Sequence, residues 1–201
     1  MARKQPQVTE QTKANLTSAF WSLYEEKPIE KITVREIAER AGYNRATFYL
    51  YYRDVYDLFE QLEDEILAQV RGLVQDRLLQ GDMLDFSQHM GLVVGLAQRF
   101  DGFMPRLMSG DPTFSDRMKE IIAPLLDRFI LPDNVTDPME QGILREFYLS
   151  GILGAINTWM LAPDRIPIER LIELIVGTAL IGRSHAEAGV SEGLRGARHA
   201  S

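Results

Sequence analysis

Between Thr33 and Phe59 the chain gathers side chains suited to gripping a polyanion. Arg45 carries a guanidinium that can pair bidentately with the edge of a guanine. Thr47, Tyr49 and Tyr51 bring hydroxyls, and Arg53 brings a further cation. Such hydroxyls bond phosphate oxygens, and the same side chains can touch a thymine methyl. No comparable set exists for covalent chemistry. The chain has no cysteine, which excludes thiol nucleophiles, disulfides and thiolate metal sites. It has no Gly-rich phosphate loop, no Gly-x-Ser-x-Gly elbow and no Glu-x-x-His pair, so the corresponding hydrolase and di-iron chemistries are not indicated. The expectation is a protein that is not an enzyme and uses no cofactor. No metal site is expected either, since Asp85 and His89 alone supply only two ligands.

The elements that must position these residues are helical, and no alternating strand pattern is found. A first helix is predicted from about Thr9 to Glu26, with Leu16, Ala19, Phe20, Leu23 and Tyr24 forming one apolar stripe. Lys27-Pro28 ends it. Thr33 and Glu36 then form a capping box, and Val34, Ile37, Ala38 and Ala41 give the second helix a buried face. Gly42 supplies a turn and Asn44 an N-cap for the third helix, from which Phe48 points inward. Two short helices joined by a glycine turn have the layout of a helix-turn-helix, whose second helix lies in the DNA major groove. A fourth helix opens at Asp54 and Asp57 and runs to about Leu79. The starts of the second and fourth helices offer unpaired N–H groups to phosphate.

Residues 9–60 resemble the N-terminal domain of the tetracycline-repressor (TetR) family of bacterial transcriptional regulators. The match rests on ITVREIAERAGYNRATFYLYYRDVYDLF, Ile32 to Phe59, and above all on Thr47-Phe48-Tyr49 followed by Tyr51-Tyr52 and Arg53. The resemblance implies that Arg45, Ala46, Thr47, Tyr49, Leu50 and Tyr51 face DNA. It also implies that Arg53 holds the backbone and that Thr33 and Arg35 meet a phosphate at the second helix. Arg3 and Lys4 would form an arm reaching the minor groove or phosphates. Phe48, Ile37, Ala38 and Tyr52 are assigned to the core. Two positions depart from the family pattern: Val55 stands where a lysine is common, and Ala46 where a glycine is common. The first removes one phosphate contact.

A net charge of −7 over 201 residues argues superficially against a nucleic-acid partner. The charge is uneven, however. Residues 1–53 hold nine Lys/Arg against six Asp/Glu, and the remainder holds thirteen against twenty-three. A basic end on an acidic body can track phosphates, because salt screens charge beyond roughly 10 Å. The N-terminal stretch is polar and lacks an apolar core, so no secretory leader is expected, and the expected location is the cytoplasm.

Beyond the head, helices are predicted over about 84–100, 114–131, 138–161 and 168–183, with a looser stretch from Asp101 to Thr113. The fold expected is all-α with about nine helices. A helix-turn-helix DNA-binding domain would occupy 1–53, a helical sensing and dimerisation domain 54–188, and a flexible tail 189–201. Residues 147–163 carry no charge and 171–182 only Glu173. Helices so apolar must be buried, and polar Ser150, Asn157 and Thr158 argue against a membrane span. The resemblance implies that the last two helices pair with their copies in a homodimer, with Phe147, Gly151, Ala155, Trp159, Leu171, Ile175 and Thr178 at the interface. It also places a sensing region over 84–131. There Phe86, His89, Met90, Phe100, Phe103, Met104, Met108, Phe114 and Met118 could line an apolar effector pocket, or simply pack as core. The expected partners are double-stranded DNA, a second copy and an apolar effector, without a membrane. The resulting reading is a sequence-specific DNA-binding regulator, a repressor that binds a palindromic operator and is released by a small molecule. The alternative is a helical ligand-binding or adaptor dimer whose head binds DNA weakly, a reading motivated by the acidic total and by Val55.

Overall fold

The computed structural model describes residues 6–100, 104–110 and 112–197. Arg3, Lys4 and Phe103 lie outside the described residues. Nine α-helices and no strand occur among the described residues. The chain divides into two compact units, residues 1–66 and 67–201, with the boundary falling inside α4.

The first unit contains α1 (Pro6–Glu26), α2 (Val34–Arg40), α3 (Arg45–Phe48) and the start of α4 (Val55–Asp76). The apolar stripe of α1 meets α2, α3 and α4 in one core, where Leu16, Phe20, Ile37, Phe48 and Leu58 are fully buried. Phe20, Trp21, Tyr24 and Phe59 form an aromatic cluster with ring centroids 5.2–6.4 Å apart. After Pro28 a single 3-10 turn, Ile29–Lys31, carries the chain to α2. This turn was not expected from the sequence.

The second unit holds the rest of α4, then α5 (Met90–Phe100), α6 (Met104–Gly110), α7 (Pro112–Phe129), α8 (Pro138–Leu161) and α9 (Ile168–Ala197). Its core centres on Leu107, Phe114 and Leu126, with Leu149 and Leu153 of α8. Asp137 caps α8, its carboxylate accepting from the N–H groups of Met139 and Glu140. Arg183 of α9 donates to the Phe129 carbonyl at the end of α7 and to Asp133, each at 3.1 Å. That places a cation on the negative end of a helix. α8 and α9 approach closely where Gly182 faces Tyr148. A Cβ built at Gly182 would stand 2.5 Å from the tyrosine hydroxyl.

Three stretches differ from expectation. The helix predicted from residue 84 starts only at Met90. Asp85 Oδ1 accepts from the Ser87 N–H at 2.8 Å and from its hydroxyl at 2.5 Å, a local arrangement that competes with the helix. Asp85 and His89 therefore do not share a helical face. Within the stretch read as loose, residues 104–110 form α6. Pro105 sits in its first turn, where a missing N–H costs nothing, and Met104 and Leu107 are buried. Finally, α9 does not stop at Arg183 but continues to Ala197, through a run without proline. No helix among the described residues is long and apolar enough to cross a membrane.

Candidate nucleic-acid interface

The turn between α2 and α3 is built by local chemistry. Thr33 Oγ1 accepts from the Glu36 N–H at 3.3 Å, and Glu36 Oε2 accepts from the Thr33 N–H at 3.0 Å, closing the capping box. At the other end Gly42 adopts φ +77, a left-handed conformation that a side chain disfavours. The Tyr43 N–H reaches the Ala38 carbonyl at 2.8 Å and the Gly42 N–H reaches Glu39 at 3.1 Å, the paired bonds of a Schellman ending. Asn44 then caps α3, accepting from the Thr47 N–H at 2.9 Å and from its hydroxyl at 3.2 Å. The Tyr43 hydroxyl accepts from Asn15 Nδ2 at 3.0 Å and ties the turn to α1.

These constraints fix which side chains reach solvent. Of the nine candidate DNA-facing residues, Thr33, Arg35, Arg45, Ala46, Tyr49, Leu50 and Arg53 are exposed, whereas Thr47 and Tyr51 are half-buried. Tyr49 and Leu50 keep 50% and 62% of their surface exposed, although both are large and apolar enough to be covered in an ordinary surface. The Arg45 guanidinium lies 3.4 Å from the Tyr49 hydroxyl one turn on, so the two form one polar group at the front of α3. Phe48 and Tyr52 turn inward and are buried.

The cations around this front are differently placed. Arg35 pairs with Glu39 at 2.7 Å, Arg40 with Glu26 at 2.6 Å, and Arg53 with Asp57 at 3.0 Å. Lys27 pairs with Glu36 at 2.6 Å. Among the described residues no carboxylate is paired with Arg45. The Lys27 ammonium, with the Thr33 hydroxyl and N–H, holds the Glu36 carboxyl down to about 2. The Arg53 N–H and guanidinium likewise lower Asp57, and hydrogen bonds to their carboxylates raise the pKa of Arg35 and Arg53.

The sequence reading treated the starts of the second and fourth helices as open to phosphate. In the structure the chain's own side chains take up part of that capacity. Glu36 holds the Thr33 N–H, Asp57 Oδ2 accepts from the Arg53 N–H at 2.7 Å, and Asp54 accepts from the Asp57 N–H at 2.8 Å. The pairs Arg35–Glu39 and Arg53–Asp57 were visible in the sequence as i,i+4 spacings. Val55 is 6% exposed and belongs to the core, while its neighbour Tyr56 is the exposed side chain at the start of α4.

The second unit contains an apolar cavity of about 250 Å³. Phe86, Phe100, Met104, Met108 and Met118 line it. His89 lies instead at a surface depression beside Asp76 and Asp85, Met90 is half-buried off the cavity, and Phe114 is fully buried in the core. Much of the wall comes from α8 and α9, which the sequence reading had assigned to dimerisation. Trp159, Leu171 and Ile175 line the cavity, whereas Phe147, Gly151 and Thr178 are exposed and Ala155 is half-buried.

Comparison with known proteins gives the following similarities. Residues 16–62 match the sequence family described as bacterial regulatory proteins, tetR family. Over 57 residues the chain is 33% identical to an uncharacterized HTH-type transcriptional regulator, YxbF, of Bacillus subtilis (strain 168). That match covers 28% of this chain and 15% of the relative, so the chain spans only a small part of that protein's length. Among solved structures, a TetR transcriptional regulator from Streptococcus agalactiae 2603V superposes with a TM-score of 0.59 at 21% identity, covering 86% of this chain and 96% of that one. The dihydroxyacetone kinase operon activator DhaS gives a TM-score of 0.59 at 19% identity, with 86% and 96% covered. These two likenesses describe the fold.

Proposed function

We propose that the chain, whose residues 16–62 match the family described as bacterial regulatory proteins, tetR family, is a sequence-specific DNA-binding regulator of that family that acts as a homodimer on a palindromic operator. The observation that carries this reading is the front of α3. Arg45 and Tyr49 stand exposed and hydrogen-bonded to each other, on a helix whose start and turn are held by Asn44 and Gly42. A guanidinium in that setting reads guanine, and the tyrosine and Leu50 meet sugar, phosphate or thymine methyls. Two heads, one per subunit, read half-sites about one helical turn apart. The exposed apolar side chains of α8 and α9 support pairing through those helices.

The direction we propose is repression, relieved when a small molecule occupies the cavity and favours a shape that releases DNA. DhaS, of the same fold, is an operon activator, so a reporter fused to the target promoter decides the direction. The primary test is a gel shift and footprint on DNA flanking the protein's own gene. A protected palindrome at low salt is expected, with Arg45→Ala plus Tyr49→Ala weakening it by tenfold or more, about 1–3 kcal/mol for a lost bidentate contact. An unprotected region would sink the proposal. The pairing of Arg35 and Arg53 with carboxylates favours a second reading, a ligand-binding dimer with a weak head. Its signature is ligand affinity without salt-dependent DNA binding.

A further inference from the structure

The cavity wall specifies its ligand more narrowly than its mere presence does. All 28 described side chains that line it are apolar. The one polar side-chain atom they bring is the Trp159 indole N–H, which is already donated to the Ile166 carbonyl at 2.7 Å. Most of the lining residues lie in α-helices, whose backbone groups are paired internally. A bound carboxylate, ammonium or hydroxyl would therefore lose its water and find no partner among the described side chains. A neutral apolar ligand meets no such penalty, and it gains dispersion contacts with the apolar walls.

Size and adaptability add two limits. A dry apolar cavity of about 150 Å³ accepts benzene, so the 250 Å³ observed here holds roughly ten carbon atoms by the same measure. Met104, Met108, Met118 and Met160 line it, and such flexible, polarizable side chains repack around different outlines. Phe86 and Trp159 give flat walls. We propose that the cavity selects a neutral hydrocarbon of about that size and rejects the acid built on the same skeleton. The inference rests on the reading of the body as a sensor and names the ligand class for that site.

The test uses the full chain with decalin, a non-fluorescent ten-carbon hydrocarbon, and with decalin-2-carboxylate as its charged match. The chain has two tryptophans, and Trp21→Phe leaves Trp159 in the cavity wall as the sole emitter. The expected result is a saturable change in Trp159 emission and a calorimetric stoichiometry of one per chain for decalin. The carboxylate should bind at least about a hundredfold more weakly. Ala97→Phe, which fills the cavity from α5, should abolish the response while the circular dichroism of the helices persists. Val176→Met, a smaller addition from α9, serves if the first variant does not fold. Equal or tighter binding of the carboxylate, as by an acid that leaves its head group in water, overturns the proposal. So does silence towards decalin, or an undiminished response in the filled variants. A gel shift run alongside separates the two readings. Decalin binding without a change in DNA affinity upholds the ligand class and removes the release mechanism.

Discussion

Arg35 and Arg53 stand on the side proposed to face DNA, with their charge already partly answered by Glu39 and Asp57. The Arg35–Glu39 pair is exposed on both sides and contributes little to folding, so its effect belongs to binding, where a phosphate must compete with a carboxylate. Glu39→Gln should leave the melting temperature nearly unchanged and raise DNA affinity severalfold. It should also steepen the salt dependence by up to about one ion per freed contact. Gel-shift titrations across roughly 50 to 200 mM salt read both quantities, and a variant identical to the parent would take Arg35 out of the interface. Glu36 gives a pH-dependent counterpart. Hydrogen bonding from Lys27, then from Thr33, lowers its carboxyl from 4.5 to about 2. A folded-state value below the unfolded one means that the charge stabilises the head above about pH 4.5 and that this contribution fades as the pH falls towards 2. Glu36→Gln keeps an oxygen for the capping box but loses the charge. It should therefore melt below the parent at pH 7, with the two curves converging across that window. Urea melts at stepped pH measure the gap, and a gap independent of pH would mean that the carboxylate's charge is not what stabilises this corner.

The helix-turn-helix is set by few residues, and Gly42 is the most demanding of them. Nothing stands within 4 Å of a Cβ built there, so the cost of a side chain is conformational rather than steric crowding from neighbours. At φ +77, Gly42→Ala should destabilise the head by about 1–2 kcal/mol, and Gly42→Asn by less. Denaturant unfolding monitored through the Trp21 cluster reports this, and an alanine variant as stable as the parent would contradict the left-handed assignment. The same elements show what was legible beforehand. The stripe of α1, the Thr33 and Asn44 caps and the Gly42 turn depend on residues within a turn or two of one another, so spacing alone exposes them. α6 was hidden because Gly and Pro read as breakers, whereas its place is held by burial of Met104 and Leu107 against α7 and α8. The face that α8 and α9 turn inward was hidden for another reason. Both helices are apolar on most sides, so periodicity does not say that Trp159, Leu171 and Ile175 line a cavity while Phe147 meets solvent. Arg45 and Tyr49, one helical turn apart, were readable as neighbours, but the carboxylates beside Arg35 and Arg53 went unread although their spacing was equally plain.

For the molecule as a whole, the apolar side chains left uncovered matter more than the acidic total. On α8, Met139, Ile143, Phe147 and Leu161 are exposed, and on α9 Leu174, Leu180 and Ile181, with Phe147 70% and Ile181 61% accessible. Spacings of four and fourteen on α8, and of seven between Leu174 and Ile181 on α9, put most of them along one face of each helix, with Gly151 and Gly154 leaving open space on that face of α8. A soluble monomer seldom keeps so extended a strip in water, and a second copy offers a self-complementary cover through a two-fold axis. Phe147→Asp combined with Ile181→Asp should leave the proposed dimer as monomers while the helical circular dichroism is retained, as judged by sedimentation velocity. Each monomer would keep its head, and so would still bind a half-site weakly and with the same salt dependence per head. It would lose the second, intramolecular contact, which raises avidity by roughly a hundredfold or more when both half-sites can be engaged. Affinity for the full palindrome should therefore drop by about that factor, with little change on an isolated half-site. Persistence of the dimer in the double variant would move the interface away from these faces. Loss of half-site binding together with the palindrome would instead mean that the substitutions had damaged the head, and the retained helical signal and an unshifted melt of the Trp21 cluster separate that case from the expected one.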